Sequence, residues 1–259
     1  MDSQASSIDF GDIVHVTGKA PAPQALIVCE HASNRIPEGL DTLGLGAEAQ
    51  ASHVAWDPGA LGVAERLSAL SGGVLVSAAI SRLVYDCNRP PEAESAIPKL
   101  SEVYEIPGNA HLSAAARAER VSEVYAPFES TLAATIAGHR DTLSYLVTVH
   151  SFTPIFHGVV RSLEIGVLHG QDARLAAAML ADVPSNLGHA PRLNEPYDAS
   201  DGVTHTLDLH GAANGLLNVM IELRNDLIRT PAQQKAMADR LAPWIASAVA
   251  ACRAGEAAS

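Results

Sequence analysis

The sequence is poor in the residues that would tie it to an oxidising compartment, a nucleic acid or a bilayer. Its 259 residues hold three cysteines, Cys29, Cys87 and Cys252, an odd number with no CxxC pair. No closed disulfide framework is available, and a reducing compartment is expected. Lysine is nearly missing, with Lys19, Lys99 and Lys235 the only ones, and 29 acidic against 17 basic residues leave a formal charge of −12. A chain of that sign is repelled by phosphate backbones and anionic lipid, so neither a nucleic acid nor a membrane is expected as a partner. No apolar run approaches the roughly 18 residues of a transmembrane helix. Residues 1–9 lack the basic flank and apolar core of a secretory signal, which points to the cytoplasm. Also missing are a GxSxG elbow, a GxxxxGK[ST] phosphate loop and a GxGxxG turn. Their absence argues against α/β serine hydrolases, P-loop enzymes and dinucleotide-binding folds.

What remains is a globular composition, 47% hydrophobic and 18% charged, and a single domain over 1–259 is expected. Short apolar runs at 25–29, 73–77, 83–85, 145–149, 164–168 and 217–223 read as buried strands. Between them lie helical patterns at 60–70, 113–138, 173–182 and 231–253. The last opens with a cap at Thr230, a first-turn Pro231 and Gln233 to close a capping box. Alternating strands and helices, with strands apolar throughout, predict an α/β fold with a largely parallel sheet covered on both faces. Two long irregular stretches, 88–112 and 183–214, include the turn-rich segment 194–202, which reads as an active-site loop or lid.

Ligands of open α/β sheets bind beyond the carboxyl ends of strands, so polar residues directly after apolar runs mark the candidate site. These are Glu30 and His31, His150 and Ser151, and His169, joined by Glu222 near the end of the run 217–223. Two imidazoles, a carboxylate and an open position are the ingredients of a hydrolytic zinc site. Structural readings compete at several positions. Asp57 in Trp56-Asp57-Pro58-Gly59-Ala60 reads as a helix cap. Glu222 could pair with Arg224 or Arg229. Arg82 and the run Asp86-Cys87-Asn88-Arg89-Pro90 suit a substrate carboxylate, or an internal pair with Asp86 or Glu92. A Cys29 nucleophile beside His31 would lack the third, orienting group.

Five segments taken together resemble the N-formylglutamate amidohydrolase family: Cys29-Glu30-His31-Ala32-Ser33-Asn34-Arg35-Ile36-Pro37, Trp56-Asp57-Pro58-Gly59-Ala60, Ser81-Arg82-Leu83-Val84-Tyr85-Asp86-Cys87-Asn88-Arg89-Pro90, Val149-His150-Ser151-Phe152 and Ile221-Glu222-Leu223-Arg224-Asn225-Asp226. The resemblance implies a zinc-dependent exopeptidase-like fold, a three-layer α/β/α sandwich around a mixed, largely parallel sheet. It implies Zn2+ held by His31, Asp57 and His150, with Glu30 open as the alternative carboxylate because Asn34 stands where related exopeptidases carry a glutamate. It further implies Glu222 as general base, Arg82 as a polariser of the scissile carbonyl, and Asn88 and Arg89 as a carboxylate clamp. Tyr197 and His210 complete the substrate-binding candidates. The implied reaction is cleavage of the amide of an N-formyl or other N-acyl amino acid, such as N-formylglutamate, in amino-acid catabolism. The alternative is a zinc peptidase or amidase acting on a peptide or cell-wall fragment. Monomer and homodimer are both open.

Overall fold

The computed structural model describes residues 8–18 and 20–257. Lys19 and most of the N-terminal segment on which the cytoplasmic reading rests lie outside the described residues. Seven strands form one sheet: β1 (Val14–Thr17), β2 (Ala25–Cys29), β3 (Val74–Ala78), β4 (Tyr145–Phe152), β5 (Ile165–Leu168), β6 (Pro191–Leu193) and β7 (Leu217–Arg224). Their order across the sheet is β1-β3-β2-β4-β7-β5-β6. The central strands β3, β2, β4 and β7 run parallel, while β1 is antiparallel to β3 and β5 is antiparallel to β7. The sheet is therefore mixed, as the family resemblance implies.

Helices cover both faces because the central strands are apolar on both. On one side lie α1 (Ala60–Ser71), α3 (Arg174–Ala181) and α4 (Pro231–Ala257), which bury Val63, Leu67, Leu175, Leu241 and Trp244 against β2, β4 and β7. On the other, α2 runs over 114–138 and contributes Val124, Phe128, Leu132 and Ile136. Ser113 caps α2 by accepting from the Ala116 amide at 3.1 Å. The helix is not uniform as its apolar pattern predicts, since a π-helical turn, Val121–Tyr125, separates Ala114–Arg120 from Ala126–Gly138. Pro127 follows two residues after Tyr125, and a proline without an N–H that crowds the preceding turn accounts for the widened winding there. The capping box predicted for α4 is present: Gln233 N–H donates to Thr230 Oγ1 at 3.3 Å, and Thr230 N–H donates to Gln233 Oε1 at 3.0 Å.

One predicted strand does not exist. Residues 83–85 are buried and apolar but lie in a turn, because the Ser81 carbonyl and several side chains, and not a neighbouring strand, satisfy their backbone. Asn109 Nδ2 donates to Leu83 O at 2.8 Å and Arg120 Nη1 donates to Val84 O at 3.1 Å. The segment thus becomes a pinned loop that carries Arg82, Asp86, Asn88 and Arg89 to the sheet edge. No helix among the described residues is long and apolar enough to cross a membrane.

Candidate metal centre and cleft

The carboxyl ends of β2, β4 and β7 meet in a cleft of about 330 Å³. The parallel registers bring the chemistry together: Glu222 pairs with His150 across β4 and β7, and Val28 pairs with Thr148 across β2 and β4. Glu30 and His31 therefore emerge level with His150. Asp57 joins them from the loop before α1, its N–H donating to His31 O at 2.9 Å. Gly59 makes that loop possible, with φ of 85° and a position where a Cβ would stand 2.3 Å from Ile228 O. The cap reading of Asp57 fails here, since Gly59 is the N-cap of α1 and no side chain caps it.

His31, Asp57 and His150 are all at least 97% buried, with one donor atom of each facing the other two. His150 Nδ1 lies 3.2 Å from His31 Nδ1 and 3.0 Å from Asp57 Oδ2, while His31 Nδ1 lies 3.3 Å from the same oxygen. The far nitrogens face carboxylates: His31 Nε2 is 2.7 Å from Asp86 Oδ1 and His150 Nε2 is 3.2 Å from Glu30 Oε2. The second contact is an ion-pair distance off hydrogen-bond alignment, so Glu30 and His150 Nε2 keep unsatisfied polar atoms. Assigning each imidazole proton to the nitrogen beside its carboxylate leaves three lone-pair atoms converging on one point. Tetrahedral zinc with ligands at about 2.0–2.1 Å separates its donors by about 3.3 Å, so the triangle fits such an ion. Asp57, and not Glu30, completes the triangle; Glu30 stands behind His150.

Burial alone would raise Asp57, yet the imidazoles of His31 and His150 outweigh it and hold the carboxyl below its ordinary range. For Glu222 the balance is reversed: burial dominates, and its pKa is pushed up to about 7 although His150 opposes the rise. Glu222 Oε2 is buried without a hydrogen-bond partner. The ion pair that competed with its catalytic reading does not form, because Arg224 engages Asp226 at 2.7 Å and Glu164 at 3.3 Å.

Arg82 borders the cleft but already donates to Asp86 Oδ2 at 2.9 Å and to Asp57 Oδ1 at 3.4 Å. Asn88 donates to Val203 O at 2.6 Å and accepts from Thr206 N at 3.0 Å, so both ends of its amide hold the 203–206 backbone. Arg89 Nη1 reaches the carbonyls of Asn88 and Gly202, whereas its Nε is buried without a partner. Tyr197 lines the cleft from the loop 194–202. That loop sits close over β5 because Gly166, which pairs with Glu222, leaves room: a Cβ there would stand 2.0 Å from Glu195 O. At the mouth, Glu102 accepts from His53 Nε2 at 2.7 Å and from the His157 amide at 2.9 Å, tying two short hairpins together.

Two expected residues are not brought to the cleft. His169 follows β5, whose antiparallel run carries it back past Met220 and away from Glu222. His210 lies in the π-helical turn Leu207–Gly211 and faces a separate cavity with Glu129 and Arg140. The roles of Asp86 and Glu30 behind the histidines escape the sequence reading, which treats Asp86 only as an arginine partner. Arg161, which touches Tyr197, carries no sequence signal.

A three-layer α/β protein with two histidines and an aspartate converging beside a buried, unpaired glutamate is the class that fold and site define. The sequence profile of the N-formylglutamate amidohydrolase family matches residues 24–229, and the chain belongs to that family. A crystal structure of a gene product from Agrobacterium tumefaciens is similar at 48% identity, with 94% of this chain and 97% of that one covered and a TM-score of 0.89. N-formylglutamate amidohydrolase from Ralstonia eutropha JMP134 shares the fold at 14% identity, covering 94% and 99% with a TM-score of 0.65. None of the curated proteins compared with the chain matches it.

Proposed function

We propose that the chain is a zinc-dependent amidohydrolase that cleaves the amide of a small N-formyl or other N-acyl amino acid, N-formylglutamate among them. The observation that carries this reading is the triangle of His31 Nδ1, His150 Nδ1 and Asp57 Oδ2, set in a cleft beside the unpartnered Oε2 of Glu222. Bound by those three atoms, zinc would supply Lewis acidity, polarising a carbonyl and making water more acidic.

The chain's own groups do the rest. Glu222, whose Oε2 has no hydrogen-bond partner, takes the proton of the attacking water at that oxygen and returns it to the departing amine nitrogen. Arg82 faces the reacting carbonyl with the donors its two aspartates leave free. Arg89 offers its unpartnered Nε edge to the substrate carboxylate, a bidentate contact that fixes the amide over the site. Asn88 supports that clamp by holding 203–206 in place and not by touching substrate.

The deciding experiment combines metal analysis of the purified protein with a hydrolysis panel of N-formyl, N-acetyl and N-succinyl amino acids. Near-stoichiometric zinc and turnover of at least one acyl class are expected. A zinc-replete protein inert toward all three would refute the reading.

A further inference from the structure

Tyr197 reaches the cleft from the loop 194–202, and its hydroxyl accepts a hydrogen bond from Arg161 Nη1 at 3.2 Å. A phenol has one proton and two lone pairs, while a guanidinium has no lone pair to receive a proton. With Arg161 donating, the Tyr197 proton must point elsewhere. No acceptor for it occurs among the described residues.

Arg161 is itself held firmly. Its guanidinium carbon lies 4.3 Å from the ring centroid of Phe156, 5.1 Å from that of Tyr197 and 5.6 Å from that of Phe152. Its amide donates to Pro154 O at 2.8 Å and its carbonyl accepts from Arg224 Nη1 at 3.3 Å. Among the described residues it has no carboxylate at ion-pair distance, so its charge faces three rings, one of them the Tyr197 phenol whose hydroxyl it also meets. Those rings line the same cleft as Glu222, Arg82 and the three metal-ligand candidates. Burial raises the Tyr197 phenol, the charge of Glu222 raises it further, and Arg161 and Arg82 oppose them.

The partner for the free phenol proton follows from charge. A permanent substrate carboxylate beside Glu222 would meet a like charge. The scissile carbonyl oxygen is neutral in the ground state and gains negative charge as Glu222 takes up a proton and loses its own. We propose that Tyr197 is a catalytic residue whose hydroxyl donates to the scissile carbonyl oxygen in the transition state, and that Arg161 is the positioning residue that turns the phenol proton into the cleft. No bond to Tyr197 forms or breaks; the phenol keeps its proton throughout. The assignment rests on the amidohydrolase reading above.

The test uses the zinc-replete protein with Tyr197→Phe, Arg161→Met and the double variant, plus Arg161→Lys as a variant that retains a charged donor. Tyr197→Phe should lower kcat by about 100-fold and leave KM nearly unchanged, the signature of a contact made only in the transition state. Arg161→Met should lower kcat in the wild-type background but add nothing in the Tyr197→Phe background, and Arg161→Lys should recover part of the loss. A tetrahedral phosphonamidate analogue of the N-acyl amino acid, measured by calorimetry, should bind more weakly to Tyr197→Phe, while the uncleaved amide's KM holds. An undiminished kcat, or a rise in KM alone, overturns the role of Tyr197 while the enzyme reading stands. Equal effects of Arg161→Met in both backgrounds overturn the role of Arg161. A wild-type protein that neither hydrolyses the amides nor binds the analogue overturns the amidohydrolase reading and this assignment with it.

Discussion

Replacing Glu222 by Gln keeps the shape of the side chain and removes both its charge and its basicity, and two independent quantities then move. Burial lifts the Glu222 carboxyl from its ordinary value of 4.5 to about 7. Between those two values the folded chain holds a proton that the unfolded chain has lost. Stability therefore falls as pH rises through the window, and the cost is complete above it. The shift corresponds to about 3 kcal/mol, so metal-free Glu222→Gln should melt about 5–10 °C above the wild type near pH 8. The gap should close below about pH 4, where both states of the wild type are protonated. Adding zinc should narrow the gap near pH 8, because a cation beside the carboxylate lowers the cost of its charge. On the catalytic side, loss of a positioned base should cut kcat by about 100-fold or more with zinc content unchanged. Melting curves of chelated protein at the two pH values, paired with turnover of the zinc-replete form, measure both effects. A Glu222→Gln variant that melts lower near pH 8 would mark Glu222 as half of a buried ion pair, whose loss costs about 3–5 kcal/mol, and would refute the argument. Undiminished turnover would remove the base assignment.

Alanine at His31 or His150 should abolish zinc retention, read by elemental analysis after dialysis; full occupancy in both variants would place the metal elsewhere. Glu30→Gln should keep the metal but weaken its affinity by about 10- to 100-fold in a competition titration, as expected for a carboxylate behind a ligand. Loss of binding as complete as in Asp57→Ala would make Glu30 a ligand. Arg89→Lys should raise KM although the charge is kept, because the bidentate edge is gone, and carboxamide analogues should be poor substrates. Equal turnover of an acid and its amide would dismiss the clamp.

The strand ends were the legible part of this sequence. Apolar runs marked β2, β4 and β7 closely, and the polar residues at or near the ends of those runs, His31, His150 and Glu222, do meet in one cleft. The same rule misplaced His169, because a short apolar run carries no direction and β5 is antiparallel to β7. It also read 83–85 as a strand, since burial and apolarity look alike whether a neighbouring strand or the Asn109 and Arg120 side chains satisfy the backbone. Asp57 was ambiguous for a related reason: Asp-Pro-Gly before a helix fits a cap, and only the position of Gly59 as N-cap frees its carboxylate. Long-range partners stayed hidden. Nothing local to Asp86 indicates that it backs His31, 55 residues away, and nothing local to Arg161 indicates the phenol of Tyr197.

Gly166 has no functional group, yet its missing side chain is what admits the Glu195 carbonyl beside the strand that carries Glu222. A substitution there would push outward the root of the loop bearing Tyr197 and would be scored in a mutational scan as severely as loss of a ligand. The two kinds of loss differ in what survives: a Gly166→Ala protein should keep its zinc and surrender its turnover. In a redesign for bulkier acyl groups, room should accordingly be sought at Val54 or Leu83, which line the cleft, since at Gly166 the glycine is itself the working part.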